Sequence, residues 1–599
     1  MTTPEQPRTA FSDMAEMTRR WAAVAERSQR AVQAFAERQA EEGGFSIVDT
    51  QGVSRAFLDM MTKMMADPVK LAEAQRKLLQ DNMQLWEATA RRMLGQAGEP
   101  VAEPAPGDRR FKHQAWNEKL FFDYLKQSYL LTSRWIQSVV GDVEGLDQKD
   151  KHKVDFYTRQ FLSAVAPSNF VITNPAVLRQ TTESGGENLL KGLENLLEDL
   201  ERGKGRLKIS MTDESAFEVG KNVATTPGKV IYQNELMQLI QYEPSTEQVH
   251  KRPLLFVPPW INKFYVMDLQ PKNSLVKWAV DHGHTLFVVS WVNPCKELAR
   301  KDFEDYMCEG PLAALDAIEQ ATGEHEVNVL GFCIGGILMV ATLAYLAAKG
   351  DKRIKSATLL ATMVDLQNIG EVSVFIDEEQ LRSLEKHVAE KGYLEGHHMA
   401  EMFNMMREND LIWSFVTNNY LLGRDSMPFD LLYWNADSTR LPAAMLITYL
   451  RKVYQDNGLM KPDHIVLDGV PIDIRKIETP CYFIATKDDH IAPWTSSYPA
   501  TQSFAGPVRF LLGASGHIAG VINPPAANKY CYWTNAKRPT TPAEWFAGAE
   551  RHEGSWWPDW AKWLARKSGP KVPARRPDET ALAPIEDAPG SYVKVRQSE

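Results

Sequence analysis

Val327-Asn328-Val329-Leu330-Gly331-Phe332-Cys333-Ile334-Gly335-Gly336, continued by ILMVATLAYLAA to residue 348, decides how this chain is read. VNVL is a short run with strand character, and the glycines after it mark a tight turn. From Gly331 to Ala348 there is no charge, which resembles a membrane span. The three glycines crowd one end and a strand precedes them, so the spacing predicts a turn and a buried helix instead. Gly331 and Gly335 let the strand and helix backbones approach, and Gly336 starts the helix.

Similar strands lie on both sides of this stretch. KVIYQ (229–233) and LMQLIQY (236–242) read as an antiparallel pair. PLLFV (253–257), TLFVVSW (285–291), VNVL (327–330), ATLLAT (357–362), CYFIAT (481–486) and VRFLL (508–512) then alternate with helical segments. That alternation predicts an α/β architecture with a mainly parallel sheet covered on both faces. The rhythm breaks between about 366 and 450, where long helices rich in Met, Trp and Tyr predict a cap or lid insertion.

Upstream, residues 10–94 carry apolar positions at helical spacing: Met14, Met17, Trp21 and Val24, then Phe57, Met60, Met61, Met64, Met65, Leu71 and Leu78. The Met-rich run suits either a helix–helix core or an adaptable surface for a partner or lipid-like phase. GQAGEPVAEPAPGD (95–108) reads as a linker, and 110–205 as further helix with aromatics at Phe121, Phe122, Tyr124 and Tyr129. The expected organisation is a helical extension with linker over 1–105 and a helical domain over 106–227. Core segments follow over 228–365 and 451–568, with the cap over 366–450 between them and a C-terminal tail over 569–599.

The strand–turn–helix around Cys333 has the layout of a nucleophile elbow, G-x-S-x-G, with cysteine in place of serine, which predicts an α/β-hydrolase fold. Such a cysteine sits at a helix N-terminus, where the dipole favours a thiolate. The acid and the histidine should follow in that order, after later strands. Lys487-Asp488-Asp489-His490 follows CYFIAT, and Gly513-Ala514-Ser515-Gly516-His517 follows VRFLL. Asp489 and His517 are the candidates, with Asp488 and His490 as competitors. One oxyanion donor should be the Ile334 amide, and the second should come from Val257-Pro258-Pro259-Trp260-Ile261-Asn262-Lys263. The two prolines have no N–H, which leaves Trp260 or Ile261. A cysteine nucleophile makes a thioester, which keeps a bound acyl group activated for attack by another alcohol.

LLFVPPWINKFYVMDLQP, GHTLFVVSWVNP, NVLGFCIGG, PFDLLYWNADSTRLP, DDHIAPW, GASGHIAGVINPP, CYWTNAKRP and GSWWPDW, spread between about 105 and 595, together resemble class I polyhydroxyalkanoate synthases. The resemblance implies an α/β-hydrolase core with a helical N-terminal domain and a mobile cap. It implies an acyltransferase that polymerises short-chain 3-hydroxyacyl-CoA with CoA as leaving group, using Cys333, Asp489 and His517 and neither metal nor other cofactor. Homodimers on granules of the polymer product are implied too, with granule-coat proteins as further partners. Arg407 in MMRENDLIW resembles a position near the family's substrate tunnel, where a cation would meet CoA phosphates; His490 is its companion as a candidate substrate-binding residue. The aromatics of PFDLLYWNAD suit either an acyl tunnel or the core of the cap. Residues 1 to about 105 carry no shared motif, and Trp260 is bulky for a loop beside an oxyanion site.

Composition narrows the alternatives. Hydrophobic residues at 44% and charged residues at 24% predict a globular chain. A net charge of −9 leaves no overall basic footprint for nucleic acid. Five scattered cysteines, without a CxxC, make a poor disulfide or metal framework and suit a reducing compartment. The first residues lack a signal-peptide layout, so a cytoplasmic protein without a membrane span is expected, and the resemblance implies association with polymer granules. A cysteine thioesterase of the same fold and a non-enzymatic granule coat are the competing readings.

Overall fold

The computed structural model describes residues 46–596 except Ala97, together with Arg20, Ala23, Val24, 26–31, Gln33 and Ala34. Met14, Met17 and Trp21 lie outside the described residues. The chain divides into two compact units: Met1–Asp213 with Phe403–Met427, and Glu214–Met402 with Pro428–Glu599.

The first unit is helical. α1 (Thr50–Ala66) starts at Asp49, whose side chain accepts from the Gly52 N–H, and ends at Asp67. Asp67 also caps α2 (Pro68–Met93), with Pro68 at the first helical position, where its missing N–H costs nothing. α3 (Leu120–Gly141), α4 (Gln148–Ala164) and α5 (Glu187–Arg202) complete the long helices. The Met-rich run is part core and part exposed. Met60 is buried with Ala56, Val140 and Val154, whereas Met61 and Met65 are exposed. Val24 packs with Ala31, Leu190 and Leu197.

Two expectations about boundaries need changing. The segment over 95–108 is docked: Gln127 Oε1 accepts the N–H groups of Val101 (2.6 Å) and Ala102 (3.0 Å), and Ala102 is buried with Leu85 and Trp116. The insertion over 366–450 is divided. Phe403–Met427 joins the helical unit, where Tyr420 donates to Asp199 at 2.6 Å and Ser163 to Glu408 at 2.9 Å.

The second unit is built on an eleven-stranded sheet. Its strands are β1 (Gly228–Gln233), β2 (Met237–Tyr242), β3 (Leu254–Val257), β4 (Leu286–Trp291), β5 (Val327–Phe332), β6 (Ile354–Leu360), β7 (Cys481–Thr486), β8 (Val508–Gly513), β9 (Cys531–Thr534), β10 (Glu550–Glu553) and β11 (Glu586–Asp587). The spatial order is β10-β9-β8-β7-β6-β5-β3-β4-β2-β1-β11. The block from β8 to β4 is parallel, and both flanks are antiparallel. Among the central strands, β3, β4, β5 and β7 are buried along their whole length and β6 at all but Lys355, as a sheet covered on both faces requires. The C-terminal segment is no free tail: β11 pairs with β1, Lys571–Pro573 pairs with Gln248–His250, and Val593 is buried in the core.

α6 (Ile334–Lys349) follows β5 and is buried from Ile334 to Leu346. Among the described residues no helix is long and apolar enough to cross a membrane.

Candidate active site

Cys333 caps α6 with φ +53° and ψ −122°, a conformation that non-glycine residues rarely adopt. Its N–H donates to Leu360 O on the neighbouring strand at 2.8 Å, and its own carbonyl accepts from Ile337 at 3.1 Å. The glycines around it are sterically obligatory. A Cβ on Gly331 would lie 2.6 Å from Gly336 Cα, one on Gly335 2.5 Å from the Val257 and Pro258 carbonyls, and one on Gly336 1.9 Å from Thr362 Oγ1. At Gly331 and Gly335 backbone presses against backbone, at Gly336 the Thr362 side chain presses in, and the side chain of residue 333 is held at the end of β5.

Two neighbouring strands deliver the partners. β7 and β8 run in register, Thr486 beside Gly513, and their following loops are tied by Lys487 N–H to Gly513 O (2.8 Å) and Asp488 N–H to Ser515 O (3.0 Å). His517 Nδ1 thereby comes to 2.7 Å from Asp489 Oδ2. The Ile491 and Ala492 N–H groups donate to Asp489 Oδ1 at 2.9 and 2.8 Å, and Thr486 Oγ1 donates to Oδ2 at 3.1 Å. Burial pushes the Asp489 carboxyl up, but the His517 charge and these donors outweigh it and hold it below the usual range. An ionised carboxylate only accepts, so Nδ1 carries the proton and Nε2 is left for the nucleophile. Burial would likewise depress His517; the charges of Asp489 and Cys333, with a hydrogen bond to each, hold it well above the ordinary histidine value.

The competitors separate cleanly. Asp488 is exposed, while the Asp489 side chain is fully buried. His490 is half-buried one residue beyond the carboxylate. Arg407 belongs to the helical unit, where it is exposed and ion-paired with Asp410.

Tryptophans of the GSWWPDW block hold the histidine loop. Trp556 Nε1 donates to Gly520 O at 3.1 Å and Trp557 Nε1 to Val521 O at 3.0 Å.

The proline loop is pinned from both ends. Trp291 Nε1 donates to Pro258 O (2.9 Å), Trp434 Nε1 to Lys263 O (2.7 Å), and Thr439 Oγ1 to Trp260 O (2.6 Å). Lys263 forms a buried ion pair with Asp437 at 2.6 Å. In PFDLLYWNAD, Tyr433 and Trp434 are buried, Trp434 and Asp437 fix this loop, and Phe429 is exposed. The bulk of Trp260 also finds its place, among the rings of Trp291, Phe303, Tyr306 and Tyr449 at 5.4–6.4 Å. With these carbonyls engaged, the Trp260 and Ile261 N–H groups meet no backbone acceptor among the described residues, and neither does that of Ile334 at the helix start. β3 and β5 pair Val257 with Gly331, so both sets of amides flank the end of the same strand pair.

Two residues escaped the sequence reading. Tyr449 and Tyr454 lie on a π-helical turn, Tyr449–Gln455, with ring centroids 5.1 Å apart. Burial raises both phenols; the Tyr454 and Cys333 charges raise Tyr449 further and the Cys333 charge raises Tyr454, so both remain neutral. Their spacing of five is off-phase for an α-helix, and only the wider turn brings the rings together.

Residues 107–279 match the family model described as the poly-beta-hydroxybutyrate polymerase (PhaC) N-terminus, and 253–524 match the alpha/beta hydrolase fold. The poly(3-hydroxyalkanoate) polymerase of Methylorubrum extorquens is 50% identical over 91% of this chain and 90% of its own. The chain belongs to the poly(3-hydroxyalkanoate) polymerase family. The PhaC polymerase subunit of Rhizobium meliloti is 51% identical over 89% of this chain and 87% of its own, and that of Cupriavidus necator 44% over 90% and 91%. The family is one of acyltransferases, and the chain carries its α/β-hydrolase core with a helical N-terminal region.

Proposed function

We propose that this polymerase takes short-chain 3-hydroxyacyl-CoA thioesters and grows the polyester through an acyl-Cys333 thioester. The carrying observation is the buried Asp489–His517 pair, with Cys333 as its third partner on a strained elbow. His517 Nε2 accepts the Cys333 proton, and the sulfur attacks the substrate carbonyl. The N–H groups of Ile334 and of Trp260 or Ile261 receive the developing oxyanion. The C–S bond to CoA breaks, His517 returns the proton to the departing thiolate, and acyl-Cys333 remains. The hydroxyl of a second 3-hydroxyacyl-CoA then gives its proton to His517 and attacks this thioester. An ester forms and Cys333 leaves, reprotonated from His517. The lengthened chain, now carried on CoA, reloads by the first step. No cofactor is needed, because thioester exchange is nearly isoenergetic and ester formation spends the thioester.

Exposed Leu79, Met83 and Trp86 line α2 and suit contact with an aliphatic polyester surface. We place the chain on cytoplasmic polymer granules as a homodimer, by family resemblance. His490 and Arg407 remain candidates for contacts with the substrate.

Incubating the purified chain with 3-hydroxybutyryl-CoA, and following free CoA and turbidity together, tests the reading. Both should rise, and Cys333→Ala should abolish both. CoA release with free 3-hydroxybutyrate and no polymer would favour a thioesterase, and normal turnover by Cys333→Ala would end the mechanism. Faster use of 3-hydroxydecanoyl-CoA would overturn the short-chain preference.

A further inference from the structure

His387, Glu395 and His398 gather one ligand atom each within 4.8 Å of one another, outside the Cys333 site. We propose that they bind a single divalent transition-metal ion of the zinc class. The ion would join the end of α7 (Glu378–Lys391) to the start of α8 (Gly396–Met406).

Chain geometry brings these residues together. α7 ends at Gly392, whose φ of +88° reverses the direction, and Tyr393–Leu394 pairs with Leu441–Pro442. Glu395 then directly precedes α8, and His398 lies in its first turn. The side chains of His387, Glu395 and His398 are 11%, 20% and 10% exposed, a half-buried setting that strengthens coordination relative to open water.

The distances suit a tetrahedral ion. Glu395 Oε2 is 3.6 Å from His387 Nε2 and 3.9 Å from His398 Nε2. Zinc bonds of about 2.0–2.1 Å set ligand atoms about 3.3 Å apart in a tetrahedron, so the two Glu395 edges need to close by a few tenths of an ångström, and the histidine–histidine edge, within 4.8 Å, takes the larger side-chain adjustment. Three protein ligands leave the fourth position to water.

The surroundings prepare the donors. Lys391 ion-pairs with Glu395 Oε1, which turns Oε2 toward the imidazoles. The other nitrogen of His398, Nδ1, faces Glu401 Oε2 at 4.0 Å. His397 packs its ring 4.0 Å from that of His398 and restrains it. Two imidazoles and a carboxylate select borderline ions such as zinc over magnesium or calcium.

The role is structural. The ion would close a short loop across the turn between two helices, and the Cys333 chemistry makes no call on it. The test uses the full chain, stripped with EDTA, equilibrated with ZnCl2 and passed through gel filtration. Wild type should retain about one zinc per chain, and its thermal transition should rise with zinc and fall back with EDTA. His398→Asn and Glu395→Gln should each retain at least tenfold less at the same free zinc. No retained zinc in wild type, or equal retention in the variants, overturns the proposal. Cobalt(II) on wild type covers the case in which a variant misfolds. Intense visible bands of a tetrahedral nitrogen–oxygen site support it, whereas weak octahedral bands or a thiolate charge-transfer band refute it.

Discussion

His517 Nδ1 stands 2.7 Å from Asp489 Oδ2, and the Asp489 side chain has no solvent exposure. Each partner shifts the other's titration, in opposite directions. The His517 contribution to stability is fully present below its unfolded value of about 6.5, and is lost as pH rises through the raised native value. The Asp489 contribution is fully present above about 3.9, and is lost as pH falls through the depressed native value. The melting-temperature gap between wild type and Asp489→Asn should therefore be widest between about pH 4 and 6.5 and shrink on either side. A gap independent of pH would mean that shape, and not charge, joins the pair.

The same variant should separate two chemical steps. Loading needs a cysteine thiolate, which the α6 N-terminus also favours. Elongation needs a weakly acidic hydroxyl deprotonated during attack, which depends more on a correctly oriented imidazole. Rapid-quench experiments with radiolabelled substrate should show Asp489→Asn still labelling Cys333 while elongation drops roughly 10²-fold or more. Equal losses in both steps would remove any distinct role for Asp489 in attack by the hydroxyl.

Gly335 and Gly336 should fail differently. A Cβ on Gly336 meets the Thr362 side chain, whereas one on Gly335 meets the Val257 and Pro258 carbonyls. Each alanine substitution should cost about 1–3 kcal/mol or more in chemical denaturation. Adding Thr362→Ala should recover part of the Gly336→Ala loss and none of the Gly335→Ala loss. Equal recovery would show that the elbow backbone yields more than its packing implies.

Tyr449→Phe and Tyr454→Phe keep the tilted ring pair and delete only hydroxyls, on two phenols that the Cys333 charge acts on. Each should lower kcat/KM for CoA release about tenfold, equivalent to about 1.4 kcal/mol of transition-state stabilisation. The thermal transition should stay nearly unchanged. Unaltered kinetics in both variants would make the tyrosines mere packing.

Most of the sheet was legible because each central strand is a short apolar run between turn residues. Asp489 and His517 were legible because both follow such runs, where sites of parallel sheets lie. β9 and β10 were harder: apart from the buried Cys531 their residues are half-buried or exposed, with no continuous buried run to find. The docking of 95–108 was hidden because side chains further along the chain, Gln127 and Arg134, hold its backbone. The fate of Trp260 depended on four rings from three other segments, which no local pattern joins. Tyr449 and Tyr454 were missed because the π-helical turn that aligns them breaks the helical period on which the reading relied.

β11 is the last strand of the sheet and covers the edge of β1, with Lys229 and Asp587 paired across 358 residues of sequence. At a synthesis rate of about 5–20 residues per second, β1 waits roughly 20–70 s on the ribosome for that cover. Until then its unpaired backbone groups are open to other nascent chains. A slow ribosome or a premature stop before residue 586 should therefore yield aggregates even though Cys333, Asp489 and His517 have all been translated.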